Sequence, residues 1–212
     1  MRDALHEPLE PAQDGWRILE IGCGDRPIVG DLVADAHFHG ARAVAIDYAP
    51  SVIRKLRRDA RVEKGCGGGQ ATALSYEQAD ARALRYDAGS FDLVLDKGTI
   101  DAMMCSDDAG FSNALQICAE AARVLKGGGV FVMVSHQNPT GVEGSGFLHD
   151  SLLPALLEQP AAWSWDISVH FEEAPSKSGP FVYIVRKTRR RLTRAVHRGE
   201  ASESVPLRLH SY

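Results

Sequence analysis

Short apolar runs rich in β-formers recur along this chain, and longer stretches with helical spacing separate them. The runs include Trp16–Gly22 (WRILEIG), Ala43–Tyr48 (AVAIDY), Phe91–Asp96 (FDLVLD) and Val130–Ser135 (VFVMVS). A further strand is expected to end near Asp80. Between them, Val29, Leu32, Val33 and Ala36 share one helical face, with Gly40 as a stop. Pro50 and Ser51 open a helix whose stripe is Val52, Ile53, Leu56 and Ala60, opposite a basic, solvated face. Phe111–Lys126 is the strongest helix, with Leu115, Cys118, Ala119, Ala122 and Leu125 on one side and the glycines at 127–129 ending it. Strands alternating with helices predict an α/β fold on a parallel sheet. A wholly apolar run such as Val130–Val134 suits a strand covered on both faces. WDISVHFEEA and FVYIVRK, joined by PSKSGP, predict a closing antiparallel hairpin. Lys64–Ala73 holds too many glycines for either element and reads as a loop.

In such sheets a ligand sits beyond the carboxyl ends of the strands. The first strand ends in Leu19–Asp25 (LEIGCGD), which puts Gly22 and Gly24 in a turn where a ligand can approach the backbone. Asp47 ends the second strand, 23 residues after Gly24. A carboxylate there can accept both hydroxyls of a ribose, so the pair predicts a nucleoside-containing cofactor. The dinucleotide pattern GxGxxG fails at its third glycine, which is Pro27. Neither a P-loop nor a GxSxG elbow is present.

Composition narrows the remaining classes. The 212 residues carry a net charge of −4, unevenly spread. Arg186–Tyr212 holds eight Lys or Arg against two Glu, a balance of +6, and the other 185 residues carry −10. The body is therefore not expected to bind nucleic acid, whereas the basic end is a solvated tail or a contact for an acidic partner. No run approaches the ~18 apolar residues of a membrane helix. The start, MRDALHEPLE, has no apolar leader, so a soluble cytoplasmic protein is expected. The four cysteines form no CxxC and read as reduced thiols, and no cluster has metal-ligand spacing.

LEIGCGD, AIDYAP, the segment EQADARAL around Asp80, and FDLVLDKG together resemble the motif series of class I S-adenosylmethionine-dependent methyltransferases. The resemblance runs from about Gly15 to Lys187, most of the chain. The run LDKGTIDAM (Leu95–Met103) is similar to the DKGT-x-DA signature of the group that modifies lysines of elongation factor 1-alpha and citrate synthase. The resemblance implies a Rossmann-like, seven-stranded, mostly parallel sheet with helices on both faces and an antiparallel C-terminal hairpin. It implies residues 14–188 as the methyltransferase domain, after a short segment 1–13 and before a basic, flexible tail 189–212. Members usually carry a further segment ahead of the first strand that covers the cofactor, a role open here to the loop from Gly141 to Asp150.

The implied cofactor is S-adenosyl-L-methionine. Glu20, Gly22, Cys23 and Gly24 would line its methionine end. Asp47 would hold the ribose, with Tyr48 against the adenine or ribose unless it is a core aromatic. Asp80 and the Ala81 N–H would meet the adenine. Asp96 and Lys97 would stand where the cofactor's sulfonium and the incoming substrate meet, Asp96 touching the cofactor as well, and Asp101 on the substrate side. Two of these have structural alternatives, Lys97 in an ion pair and Asp101 as an N-cap for a segment starting at Ala102. His136 is a loop histidine or a substrate contact, and His170 is structural. The implied partner is a protein offering a lysine; a small-molecule acceptor or a catalytically silent cofactor-binding subunit stays open.

Overall fold

The computed structural model describes residues 15–65, 73–105, 109–139, 146–171, 180–189 and 207–211. The segment 1–13, most of the glycine-rich loop, residues 141–145 of the expected cover and the PSKSGP turn before Pro180 lie outside them. Strands β1 (Arg17–Ile21), β2 (Arg42–Asp47), β3 (Ala73–Gln78), β4 (Phe91–Lys97) and β5 (Leu125–Ser135) are parallel. β6 (Trp163–Phe171) and β7 (Phe181–Arg189) are antiparallel to each other, and β7 joins β5 antiparallel. The spatial order β3-β2-β1-β4-β5-β7-β6 is the expected mostly parallel sheet with an antiparallel hairpin at one end.

An eighth strand was not expected. β8 (Leu207–Ser211) lies parallel to β6, from Ile167↔Leu207 to Phe171↔Ser211. The sequence reading put these residues in a flexible tail. The alternating pattern LRLHS suits a strand, but its charged neighbourhood hides that signal. An edge strand is chosen by an open row of backbone groups elsewhere in the fold.

Helices cover both faces. On one face, α1 (Val29–Ala34) and α2 (Pro50–Gly65) seal a core holding Val29, Ile53 and Leu56 against Ile18, Ala43 and Leu93. On the other face lie α3 (Thr99–Met104), α4 (Gly110–Val124) and α5 (Leu153–Leu157), the last entered through a π-helical turn, Leu148–Leu152. From Leu93 onward, odd and even positions of β4 serve the two cores: Leu93 and Leu95 one side, Val94 the other.

Three local expectations differ. The first helix stops at Ala34, and Ala36–Phe38 is a 3-10 turn. The buried face of α4 is wider than the expected stripe and centres on Ala114, Ile117, Cys118, Ala121 and Ala122, because α3 and α5 flank it as well as the sheet. The glycines after α4 lie within β5, which begins at Leu125. A Cβ on Gly127 would stand 2.6 Å from the Trp163 ring, so close packing explains that glycine.

Candidate functional site

The chain enters the sheet at its middle. It runs outward through β2 and β3, then returns to the other side of β1 as β4. The crevice opens at that reversal, beyond the carboxyl ends of the strands. The loop after β1 builds its floor. Gly22 has φ +59°, and a Cβ there would lie 2.0 Å from Thr99 Oγ1, so glycine is required twice over. The Thr99 hydroxyl donates to the carbonyls of Ile21 (3.0 Å) and Gly22 (3.3 Å), tying α3 to the β1 turn.

Asp47 ends β2 half-buried. Its Oδ2 accepts the Gly24 N–H at 2.9 Å and its Oδ1 accepts the Ala49 N–H at 2.8 Å. Each oxygen keeps a lone pair toward the cleft for a further donor. The Ala79 N–H donates to the Asp47 carbonyl, so the loop after β3 is drawn against the same place. Tyr48 is 73% exposed, which excludes the core-aromatic alternative.

Asp80 does not stand free. Arg82 donates to it from Nε (3.0 Å), Nη2 (2.8 Å) and its backbone N–H (2.9 Å). Arg82 Nη1 donates to Asn113 Oδ1 at 3.0 Å, which links this loop to α4. The guanidinium holds the Asp80 carboxyl below the usual carboxylate range. Gly22, Asp47, Tyr48, Asp80, Ala81 and Arg82 thus face one cleft of about 280 Å³, lined also by Thr99, Met103, Asn113 and Ile117.

The remaining named residues lie outside that lining. Glu20 is 1% exposed and accepts the N–H groups of Ile28 (3.0 Å) and Val29 (2.9 Å), so it holds the entry to α1. Burial raises its carboxyl above the ordinary value. The Cys23 side chain packs in the core under α1 and α2, its thiol pushed up to about 12 by burial, and only its backbone belongs to the glycine turn. Asp101 lies inside α3, whose N-cap position is Gly98, so it is no N-cap. It accepts the Ser135 hydroxyl (2.7 Å) and the His136 N–H (3.0 Å), binding α3 to the end of β5. Lys97 is exposed, and its charge opposes the rise at Glu20.

Asp96 is buried beneath the cleft on the α4 side. The Thr99 hydroxyl and the N–H groups of Thr99 and Ile100 face its carboxylate and favour its ionised form, but neither oxygen has a hydrogen bond of good geometry. Burial dominates and pushes its carboxyl up to about 7.

Sequence reasoning missed Arg82, Thr99, Met103 and Asn113. Met103 and Thr99 lay within a quoted signature, and an Asp-x-Arg pair was a visible signal for Arg82. Nothing local marked Asn113, which reaches the cleft only because α4 packs there. Among the described residues no group of His, Cys, Asp and Glu could hold a metal ion. No described helix is long and apolar enough to cross a membrane.

The cleft suits an adenosyl group: a carboxylate at a ribose position, a second after the next strand outward, and the glycine turn of β1 on the other side of the first. Residues 19–133 match the methyltransferase domain family, so the chain belongs to it. Its fold is that of a class I, S-adenosylmethionine-dependent methyltransferase. It is similar to EEF1A lysine methyltransferase 4 of Mus musculus, 32% identical over 64% of this chain and 51% of that protein. It is also similar to the mitochondrial citrate synthase-lysine N-methyltransferase CSKMT of Homo sapiens, 29% identical over 78% of this chain and 62% of that protein. The chain spans roughly half to three-fifths of these relatives. Among solved structures it shares the fold of a SAM-dependent methyltransferase from Methanosarcina mazei, with a TM-score of 0.57 and 20% identity over 84% of this chain and 95% of that one.

Proposed function

We propose that this protein transfers a methyl group from S-adenosylmethionine to a lysine side chain of a protein. The observation that carries the cofactor end is the pair of carboxylates, Asp47 and Asp80, closing adjacent strands onto one cleft beside Gly22. The lysine substrate rests on the similarity to lysine methyltransferases and on the run DKGTIDA at residues 96–102.

In this reading Asp47 takes the ribose hydroxyls while its own backbone partners keep it aimed. Asp80 meets the adenine amino group, held in place by Arg82, and the Ala81 N–H meets the ring. Glu20 acts through the turn it steadies. The bound cofactor supplies a sulfonium methyl, an electrophile that needs no protein nucleophile. The protein's task is then positioning and exclusion of water.

A lysine ammonium must lose a proton first, to solvent or to a base, before its nitrogen forms the N–C bond as the C–S bond breaks and its electron pair goes to sulfur. Burial of the amine favours that loss. Asp96 lies where a buried carboxylate, ionised above about pH 7, favours a cation over it. Asp101 is a positioning residue, since its oxygens already hold Ser135 and His136.

The test is incubation with methyl-labelled S-adenosylmethionine and a proteome divided by size. The expected result is label in protein, on lysine by mass spectrometry, abolished by Asp47→Ala. Label only in the small-metabolite fraction would replace the lysine reading with a small-molecule acceptor.

A further inference from the structure

We propose that α2 carries a docking surface for an acidic segment of the protein substrate, an inference that rests on the protein-substrate reading. Arg54, Arg57, Arg58 and Arg61 follow the spacing i, i+3, i+4, i+7 and form one exposed stripe. They line a groove of about 390 Å³ with the exposed Val62. Helix geometry makes the stripe roughly 10 Å long.

The charge there is neither general nor internally neutralised. α2 holds six Lys or Arg against two Asp or Glu, while the chain as a whole carries −4. Asp59 is the stripe's acidic neighbour, and it is shared by Lys55 (3.4 Å) and Arg58 (3.4 Å). Arg57 donates through Nε to the Tyr76 carbonyl of β3 at 2.8 Å, which pins the stripe to the sheet edge. Arg54 and Arg61 have no ion-pair or hydrogen-bond partner among the described residues. Glu77 of β3 is taken on the opposite sheet face by the Tyr86 hydroxyl.

Four guanidiniums in a short row match carboxylates repeated along a peptide or a helix turn. A nucleic-acid strand fits less well. Such surfaces usually add aromatic rings for stacking, and the groove offers only Val62. The acidic remainder of the molecule repels a long polyanion. The helix starts two residues after Tyr48 of the cofactor cleft, so a segment bound here is tethered beside the reaction.

The experiment compares a fluorescein-labelled oligoglutamate peptide with an oligouridylate of equal charge, by fluorescence polarisation at low and physiological salt. The expected result is salt-sensitive peptide binding, tighter than that of the RNA. The triple variant Arg54→Ser, Arg58→Ser, Arg61→Ser should weaken it by about tenfold or more. The triple Arg→Lys variant should bind the peptide, and both variants should keep the wild-type thermal shift with S-adenosylhomocysteine. Equal peptide binding by wild type and the Ser variant overturns the docking surface, as does preference for the RNA. Labelled-methyl transfer is read in the same proteins. Equal transfer to protein by wild type and the Ser variant rejects the surface and leaves the lysine reading standing. Transfer only to small metabolites rejects both.

Discussion

At the scale of single residues, Gly22 and Asp47 carry the most. Gly22 combines a positive φ with contact against Thr99, so any side chain must displace α3. Gly22→Ala is expected to lower the melting temperature and to abolish the ligand-induced shift, both read by differential scanning fluorimetry. Asp47 anchors Gly24 and Ala49 as well as a ribose. S-adenosylhomocysteine at about 100 times its dissociation constant should add roughly 2.7 kcal/mol to the wild type. That corresponds to about 5–10 °C for a chain of this size. Asp47→Ala should lose the shift, and NADH should give none in either protein; a full shift in the variant would remove Asp47 from the cofactor site. The residues readable in advance were those whose role depends on the end of a strand: Gly22, Asp47 and Asp80. Cys23, Glu20 and Asp101 shared those strand ends or signatures, but their side chains serve the fold: Cys23 packs in the core, Glu20 holds the start of α1, and Asp101 holds the end of β5.

At the scale of elements, the C-terminus of α4 is closed by a charge from the far hairpin. Lys187 of β7 is 4% exposed, and its Nζ donates at 2.7 Å to the carbonyls of Ala122 and Leu125. It also lies 5.0 Å and 5.5 Å from the ring centres of Trp163 and Trp165. Burial draws its ammonium down to about 8, and both carbonyls and both rings favour the charged form. Lys187→Met keeps much of the volume but leaves two buried carbonyls unpaired. The expected cost is roughly 2–3 kcal/mol. That is a fall of about 5–10 °C in melting temperature. An unchanged melting temperature would show that the carbonyls find other donors. The sequence reading assigned β7 as a strand without this role, since a lysine in a basic stretch gives no sign of burial. It gave α3 only as a segment capped by Asp101, three residues too late, and missed the helical segment at Leu148–Leu157. These short elements are stabilised by packing rather than by propensity.

For the whole molecule, the pH dependence of stability follows from Asp96. Its carboxyl moves from the ordinary 3.8 to about 7 in the folded protein. Between those values the folded state holds a proton that the unfolded chain has released. The group's contribution is therefore full below about pH 4 and is lost as pH rises through 7, at most about 4 kcal/mol in all. Asp96→Asn without ligand should flatten the fall in melting temperature between mildly acidic and mildly alkaline buffer. The difference between the two proteins isolates this group from Glu20, which shifts the same way, and Asp80, which shifts oppositely. Parallel profiles for the two proteins would refute the assignment.

Sequence alone determined the alternation of strands and helices, hence the parallel sheet, and the glycine turn and carboxylates at the carboxyl ends of its strands. These follow from local periodicity and from which residues tolerate a strand end. Tertiary structure alone decided which carboxylates remain open to a ligand. Glu20 and Asp101 are consumed by backbone groups, Asp80 is shared with Arg82, and Asp96 is buried without a full partner. It also decided that Leu207–Ser211 becomes an eighth strand. Hydrogen-bond partnership and burial depend on where the fold places each neighbour, whether it is two residues away, as Arg82 is from Asp80, or 35 away, as His136 is from Asp101, and a local pattern does not show which of these contacts close.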